Sequence, residues 1–195
     1  MKNPQFPLIL ASSSRYRAEL LSRLGLAFVS LSPELDETPR PAESPRALTE
    51  RLAYDKAHAL LTRHPDAVVI GSDQTAALGA MSLGKPLTVE RAVAQLHQLS
   101  QQTVVFHTAW TVLSATHCVR GVDDTTVRFK SLSDHQIRRY IELEQPLDCA
   151  GSFKSEGLGV VLFESIQSND PTALIGLPLI AVAKALSQFG LDPLA

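Results

Sequence analysis

A repeated unit constrains the fold of this chain most strongly: a short apolar run, then a polar turn, then a helical segment. Residues 8–11 form a compact apolar run, and the serines at positions 12–14 are candidate N-caps for a helix that extends to Gly25. Residues 68–70 form a second run, rich in β-branched side chains, which stops at Gly71-Ser72-Asp73. This alternation of strands and helices predicts an α/β fold with a mixed sheet.

Caps and helix breakers mark the remaining elements. No linker divides the chain, so residues 1–195 are predicted to form a single domain. Each of three helices is opened by a serine or threonine cap, and a proline lies in the first turn of a fourth. The predicted helices span 45–63, 88–100, 133–143 and 178–189, and further strands are predicted over 103–113, 125–130 and 160–163.

The overall charge excludes several classes of binding protein. The chain has 195 residues, of which 45% are hydrophobic and 19% charged, with a net charge of −2. This composition is typical of a globular protein rather than a disordered chain. Because the charges nearly balance, we do not expect broad electrostatic binding to nucleic acid or to an anionic membrane. Any anionic ligand must be held by a local basic pocket.

The apolar stretches and the cysteines bear on the cellular location. The longest apolar stretch, residues 173–183, is interrupted by Gly176 and Pro178, and it falls short of the roughly 18 residues that a spanning helix needs. The N-terminus lacks the hydrophobic region of a secretory signal, so the sequence predicts a cytoplasmic protein. Cys118 and Cys149 have no C-x-x-C spacing and are expected to be free thiols.

Lys56 falls on the apolar face of the predicted helix over 45–63. With Leu48 at zero and about 100° per residue, Leu52 falls at about 40°, Leu60 at about 120° and Lys56 at about 80°. One interpretation is that the aliphatic stem covers apolar surface while the ammonium group reaches solvent. The other is that Lys56 reaches an anion in a cleft, and the periodicity leaves both interpretations open.

Three further charged residues have both a structural and a functional interpretation. Asp73 follows a run that indicates a buried strand, and the carboxyl ends of strands are where open α/β sheets bind ligands. An Asx turn explains Asp73 equally well. Lys85, on a stiff glycine-proline turn, and Glu37, in an acidic pair with its neighbour, are as consistent with solvated charges as with a site.

The start of the first helix has the features of an anion site. Residues 12–17 read Ser-Ser-Ser-Arg-Tyr-Arg. Free N–H groups and the positive end of the helix dipole favour a phosphate near Ser12, and Arg17 can add a charge-assisted bond. An ordinary serine cap with solvent-facing arginines is the alternative. The chain has no glycine-rich phosphate loop, which removes most of the support for a kinase or GTPase.

A series of short motifs occurs in order along nearly the whole chain. They are Leu10-Ala11-Ser12-x-Ser14-x-x-Arg17, Asp36-Glu37-Thr38, Arg51-Leu52-Ala53 with Lys56-Ala57, Gly71-Ser72-Asp73, Gly84-Lys85-Pro86, Ala150-Gly151 and Ile175-Gly176-Leu177-Pro178. Taken jointly, they resemble the Maf family of nucleotide pyrophosphatases. The resemblance implies a Maf-like fold, similar to that of inosine triphosphate pyrophosphatases, in which helices flank an elongated mixed sheet. It also implies hydrolysis of a nucleoside triphosphate to a monophosphate and pyrophosphate.

Carried over residue by residue, the resemblance implies a set of catalytic side chains. Asp73 takes the role of proton acceptor, and Lys56, Lys85 and Glu37 are the other implied catalytic residues. Positioning and charge stabilisation provide most of phosphoryl-transfer catalysis, so fixed cations beside an activated water are a sufficient apparatus.

The resemblance further implies how the site holds its ligands. Ser12 and Arg17 are the implied substrate-binding residues. Glu37 and Asp73 are the implied ligands of a divalent cation, and their carboxylate oxygens suit Mg²⁺ or Mn²⁺. With the divalent ion bound, the fixed charges leave a site near +3, against roughly four negative charges on a triphosphate.

Three positions indicate a branch of the family. The branch that acts on dTTP and UTP carries arginine, threonine and glutamine where this chain has Tyr16, Gln74 and Glu156, so the chain resembles instead the branch that hydrolyses 7-methyl-GTP. The methylated purine is cationic, so Tyr16 can stack on it and the Glu156 carboxylate can meet its charge, while Gln74 offers amide donors and acceptors. Core packing for Tyr16, a solvent contact for Gln74 and a loop charge for Glu156 are the structural alternatives.

Other functions remain open on the sequence alone. The chain is expected to bind a nucleoside triphosphate, and a dTTP/UTP pyrophosphatase of the same family is one alternative. A second is a nucleotide-binding regulator of septum formation with little turnover. A nucleic-acid-binding module is disfavoured because no basic run or aromatic-basic platform is present. A homodimer is an open possibility.

Overall fold

The computed structural model describes residues 7–195, and within them seven strands form one mixed sheet. Five α-helices flank this sheet, which confirms the predicted fold class. The strands are β1 (Leu8–Ala11), β2 (Val29–Leu31), β3 (Val68–Leu78), β4 (Met81–Leu83), β5 (Thr103–Leu113), β6 (Cys118–Phe129) and β7 (Phe163–Gln167). The helices are α1 (Arg15–Ser22), α2 (Pro45–Arg63), α3 (Val89–Leu99), α4 (Asp134–Glu144) and α5 (Leu179–Ser187).

The sheet changes from parallel to antiparallel at β3. The strand order is β2-β1-β3-β5-β6-β7, and β4 pairs with β3 off this path. Strand β1 runs parallel to both β2 and β3, whereas the pairs β3–β5, β5–β6 and β6–β7 are antiparallel. All four residues of β1 are buried, as expected for a parallel strand that is covered on both faces.

The two faces of β1 and β3 are covered by different helices. Leu10 and Ile70 pack with residues of α1 and α5 in one apolar cluster, whereas Ile9 and Val69 pack with residues of α2 in another. Successive strand residues point to opposite faces, so each strand contributes to both clusters. A third cluster joins α3 and α4 to β5 and β6.

Helix α2 lies unusually close to β3 at Gly71. A Cβ atom built on Gly71 would lie 2.1 Å from the backbone oxygen of Ala53 and 2.7 Å from the backbone nitrogen of Ala57. No side chain fits in that space, so glycine at position 71 permits the contact between helix and strand. This contact determines how far the side chains of α2 stand from those of β3.

Capping hydrogen bonds confirm the predicted helix starts. Ser44 accepts a bond from the amide of Ala47, with a proline in the first turn of α2. Thr88 caps α3 in the same way, and Ser133 forms a reciprocal capping box with Gln136 at the start of α4. These local bonds satisfy amide groups that have no partner inside the helix.

Several predicted boundaries were wrong. Strand β3 does not stop at Ile70 but continues to Leu78, so Asp73 lies inside the strand rather than beyond its end. Strand β6 begins at Cys118, seven residues before the predicted start at 125. In both cases hydrogen bonding along β5 extends the strand through polar residues and glycine, which by themselves predict an end.

The remaining differences involve short elements. Strands β2 and β4 have three residues each and were not predicted. The stretch predicted as a strand over 160–163 is mostly a 3-10 turn, Leu158–Leu162, and β7 begins only at Phe163. Helix α1 ends at Ser22, and Gly25 follows with a φ of 68°. Helix α5 likewise starts at Leu179 and ends at Ser187.

Two further expectations can be compared with the described residues. Cys118 and Cys149 are free thiols, as predicted. None of the helices in the part of the chain that the structure describes combines the length and the apolar character needed to cross a membrane.

Candidate active site

One large cleft opens beside the first strands of the sheet. Its volume is about 1040 Å³, which is enough for a nucleotide-sized ligand. Residues from α1, α2, β3 and the loops between elements line it. The structure brings together all of the site residues predicted from the sequence: Ser12, Tyr16, Arg17, Glu37, Lys56, Asp73, Gln74, Lys85 and Glu156.

Lys56 forms the centre of the charged part of the cleft. Its Nζ atom lies 2.6 Å from Oδ1 of Asp73 and 3.0 Å from Oε1 of Glu37. The side chains of Lys56 and Asp73 are only 7% and 10% exposed, whereas that of Glu37 is 54% exposed. Lys56 therefore does not extend its ammonium group into solvent: of the two interpretations of the periodicity, the structure supports the one in which it reaches an anion.

Asp73 is held inside β3 with one oxygen free. Its Oδ1 atom accepts the hydrogen bond from Lys56, and its neighbours Ser72 and Gln74 point to the other face of the strand. The described residues give Oδ2 no hydrogen-bond partner, and the side chain borders the cleft. That oxygen is available to accept a proton from a water molecule or to bind a cation.

Arg17 is oriented by a backbone carbonyl far away in the sequence. Its Nε atom donates to the oxygen of Gly176 over 2.9 Å, and no other hydrogen bond to the guanidinium group arises from the described residues. Burial lowers the pKa of Arg17, while the nearby carboxylates of Asp73 and Glu37 raise it. The terminal nitrogens of Arg17 are therefore free for an anion in the cleft.

In the serine turn before α1, two hydroxyl groups have different roles. Ser14 is the N-cap, and its side chain accepts a bond from the amide of Arg17. Ser12 is buried and accepts a bond from the amide of Ser14 over 3.1 Å. The Ser12 hydroxyl hydrogen has no acceptor among the described residues, so it can donate to a ligand in the cleft.

The side chain of Gln74 binds the turn at 173–174, a role that the sequence did not indicate. Its Nε2 atom lies 3.0 Å from Oγ1 of Thr108 and 3.0 Å from each of the carbonyl oxygens of Ala173 and Leu174. An amide nitrogen has two hydrogens, and these acceptors occupy both. Only the Oε1 atom of Gln74 is left for a ligand.

The turn at 173–176 depends on residues that sequence reasoning missed. The hydroxyl of Thr108 lies 3.0 Å from the oxygen of Ala173, and the fully buried Ser72 hydroxyl lies 3.1 Å from the oxygen of Gly176. Gly176 has a φ of 129°, which favours glycine. The Ile175-Gly176-Leu177-Pro178 motif was the one sequence signal for this turn, and the structure shows that it orients Arg17.

Tyr16 and Glu156 also line the cleft. The guanidinium carbon of Arg15 lies 4.8 Å from the centroid of the Tyr16 ring, and Arg15 also donates to the Tyr16 hydroxyl over 2.9 Å. The aromatic face of Tyr16 thus already contacts a cation. Glu156 is exposed, and within residues 7–195 its carboxylate accepts a hydrogen bond only from the neighbouring Ser155, over 3.3 Å.

Lys85 extends from the turn between β4 and α3. It is exposed, and the described residues provide no carboxylate within ion-pair distance of its ammonium group. Its charge is therefore available to a ligand. The cleft thus combines a buried lysine that is shared by two carboxylates with Arg17 and Lys85, whose charges are not neutralised by a direct contact.

The donor set for a divalent cation consists of Glu37 and Asp73. The described residues contain no cluster of three or more histidine, cysteine or acidic side chains that could hold a metal. Mg²⁺ is commonly bound by one or two carboxylates together with substrate phosphates and water. Two carboxylates facing the same lysine fit that pattern, with phosphate oxygens as the missing ligands.

The fold and the cleft can be compared with those of known proteins. The Ham1 protein of Staphylococcus aureus has a similar structure, with a TM-score of 0.52 over 94% of this chain and 97% of that one, at 14% sequence identity. The protein therefore shares its α/β fold with Ham1. Residues 7–189 match the sequence profile of the family described as Maf-like protein, and the chain belongs to that family.

Relatives with assigned names cover almost the whole chain. A Bordetella pertussis protein is 52% identical over 187 residues, which is 96% of this chain and 94% of the relative. Proteins from Polaromonas and from Xanthomonas axonopodis are each 54% identical, over 94% of this chain and over 85% and 96% of their own lengths. All three are named 7-methyl-GTP pyrophosphatase.

Proposed function

We propose that this protein is a nucleoside triphosphate pyrophosphatase that hydrolyses 7-methyl-GTP to 7-methyl-GMP and pyrophosphate. The observation that carries the proposal is the convergence of Arg17, Lys56 and Lys85 with Asp73 and Glu37 in one cleft. The names of relatives at 52–54% identity support the same activity and substrate.

The fixed cations account for binding of the triphosphate. Arg17 and Lys85 have no carboxylate in direct contact among the described residues, so both are ready to contact phosphate oxygens. Lys56 is already placed by Asp73 and Glu37, so its position does not have to be established when substrate binds. Such preorganised charges stabilise developing negative charge in phosphoryl transfer without reorganisation.

Asp73 is the proposed proton acceptor. Its Oδ1 atom is fixed by Lys56 over 2.6 Å, which leaves Oδ2 to receive a proton from the attacking water. The water would attack the α-phosphorus and break its bond to the bridging oxygen, so that pyrophosphate leaves. Arg17 and Lys85 would balance the charge on the departing group.

Glu37 and Asp73 are the proposed ligands of Mg²⁺ or Mn²⁺. A divalent cation held by these residues would supply positive charge to the phosphate oxygens and would lower the pKa of a bound water. Lys56 contacts the same two carboxylates, so it keeps them close together and limits their mutual repulsion.

Recognition of the base is proposed for Tyr16, Gln74 and Glu156. A 7-methylated guanine is cationic, and Tyr16 already holds the cationic Arg15 against its ring at 4.8 Å, so the ring suits a cationic partner. The exposed carboxylate of Glu156 can pair with the same charge. Gln74 can contribute through Oε1 only, because its amide nitrogen is bound to the 173–174 turn.

The proposal is tested by the products released from a panel of triphosphates. We expect pyrophosphate rather than orthophosphate in the presence of magnesium, with 7-methyl-GTP preferred over GTP, dTTP and UTP. Glu156→Gln should lower the rate on 7-methyl-GTP more than the rate on GTP. Orthophosphate as the main product would contradict cleavage between the α and β phosphoryl groups.

Asp73→Asn separates an enzyme from a nucleotide-binding regulator. Asparagine keeps the shape of the side chain but cannot accept the proton, so we expect the catalytic rate to fall by about 10²–10⁴-fold. Nucleotide affinity, measured by calorimetry without the divalent cation, should be retained. If the variant turned over at the wild-type rate, Asp73 would not be the proton acceptor.

A further inference from the structure

Two loops that line the cleft are connected by residues behind its lining. Lys85, which is proposed to contact the phosphates, lies on the turn after β4, and Glu156, which is proposed to contact the base, lies in the segment after α4. The amide of Leu87 donates to the oxygen of Leu147 over 3.1 Å, which joins these two loops directly. A second connection runs through a side chain of α3.

Gln95 forms that second connection with both ends of its amide group. Its Nε2 atom donates to the oxygen of Gly84 over 3.2 Å, next to Lys85. Its Oε1 atom accepts a bond from the hydroxyl of Ser152. Gln95 itself does not line the cleft, so its amide can act on a ligand only through these two partners.

Gln95 is well placed to hold both loops because its helix is fixed. Ala92, Leu96 and Leu99 of α3 are completely buried in the apolar cluster beside β5 and β6. The backbone of Gln95 therefore cannot follow a loop that moves. Its side chain is half-buried, so water competes only partly for its two hydrogen bonds.

The hydrogen bond from Ser152 connects Gln95 to the segment of the chain that carries Glu156. Ser152 is fully buried with a φ of 60°, a conformation that a non-glycine residue rarely adopts. Phe153 follows it into the apolar cluster, and Lys154 donates to the oxygen of Glu144 over 2.8 Å. The segment is thus fixed at successive residues, and Glu156 comes directly after them.

We propose that Gln95 is a positioning residue that fixes the Lys85 turn through Gly84 and the Glu156 segment through Ser152. The inference rests on the proposed function, because it assigns Lys85 to the phosphates and Glu156 to the base. The two hydrogen bonds of Gln95 have separable effects. The bond to Gly84, the Gly84 arm, governs the rate of turnover, and the bond from Ser152, the Ser152 arm, governs the choice of base. Misplacement of a reacting group by about 1 Å costs up to about 10²-fold in rate.

The first variant, Gln95→Glu, breaks one arm. A glutamate keeps an oxygen for the Ser152 hydroxyl but has no hydrogen to donate to Gly84. We expect kcat to fall by about tenfold on both 7-methyl-GTP and GTP, with their ratio of kcat/KM unchanged. Gln98→Glu is the matched control, because Gln98 is an exposed residue of the same helix whose side chain, among the described residues, donates a hydrogen bond only to the sulfur of Met81.

Ser152→Ala breaks the other arm. We expect the preference for 7-methyl-GTP over GTP, measured as the ratio of kcat/KM values, to fall by about tenfold while kcat on GTP stays within about twofold of the wild type. Gln95→Leu removes both bonds and should show both losses. This variant also decides the matter if Gln95→Glu is not obtained as a folded protein.

The outcomes separate this inference from the proposed function. If the wild type released no pyrophosphate from any triphosphate, the proposed function would fail and the inference with it. If the wild type were active but Gln95→Glu and Gln95→Leu matched Gln98→Glu in kcat and in selectivity, only the inference would be overturned. Equal losses on both substrates in Ser152→Ala would also overturn it, because they would indicate general disruption rather than control of base selectivity.

Discussion

Replacing Gly71 with alanine tests whether the spacing between α2 and β3 controls the site. The new Cβ atom would lie 2.1 Å from the oxygen of Ala53, whereas ordinary contact begins at 3.4 Å. Helix and strand must therefore separate by about 1.3 Å, the difference between these distances, or distort by a similar amount. A shift of that size would lengthen the 2.6 Å contact between Lys56 Nζ and Asp73 Oδ1 to about 3.9 Å, beyond hydrogen-bond range.

The expected consequences of Gly71→Ala are lower stability and lower activity. Overpacking of this kind costs about 1–3 kcal/mol, and the contact with rigid backbone places this variant near the upper value. A displacement of about 1 Å predicts a loss of kcat of about 10²-fold. Urea denaturation measures the first effect, and pyrophosphate release measures the second.

Gly84→Ala is the control for the stability measurement only, because Gly84 lines the cleft. A Cβ atom at Gly84 meets no heavy atom within 4 Å, so the unfolding free energy should stay within about 0.5 kcal/mol of the wild type. If Gly71→Ala were as harmless to stability as Gly84→Ala and left kcat at the wild-type value, the close approach of α2 to β3 would not control the geometry of the site.

Two further predictions concern ion pairs. Lys56→Met leaves the carboxylate of Asp73, which is only 10% exposed, without its cationic partner. Urea denaturation at pH 7 should therefore show that the unfolding free energy falls by about 3 kcal/mol. Unchanged stability would mean that the pair is not effectively buried. The second prediction concerns Glu43, whose carboxylate contacts Arg51 over 2.6 Å. The hydrogen bond from Arg51 lowers the pKa of Glu43 from 4.5 to about 2. A carboxylate with a lowered pKa in the folded state stabilises the protein above its unfolded-state pKa, and this contribution is lost as the pH falls from about 4.5 to about 2. Glu43→Gln should therefore lower the melting temperature at pH 7 but have little effect at pH 2, and an equal difference at both pH values would show that the ionised carboxylate is not what stabilises the fold.

The sequence predicted the position of Lys56 better than that of Asp73. Periodicity alone placed Lys56 on the buried face of α2, because a helix of 19 residues repeats its apolar stripe several times. For Asp73, the run Gly71-Ser72-Asp73 predicted the end of a strand. Their partners Gly176 and Thr108 lie far away in the sequence, and no local pattern reveals that a distant group will satisfy a polar side chain inside a strand.

The loop that carries Glu37 shows the same limit. Sequence motifs indicated Glu37 but not what holds it, since its side chain is half exposed on an irregular segment. In the structure Arg51 donates to the oxygen of Thr38 over 3.1 Å and to both oxygens of Glu43. These contacts join α2 to two residues that follow Glu37 in the same loop, and they depend on the folded path of the chain rather than on residue spacing.

The alternation of side chains along β3 has a consequence for changes in chain length. Asp73 faces α2, and Gln74, the next residue, faces the turn at 173–174. Inserting or deleting one residue between Val68 and Ser72 would send each of them to the opposite side of the sheet. The aspartate would then meet backbone carbonyls that repel it, and the lysine would face an uncharged amide. We therefore expect this strand to tolerate no insertions or deletions, whereas the exposed turn between β5 and β6 can change length.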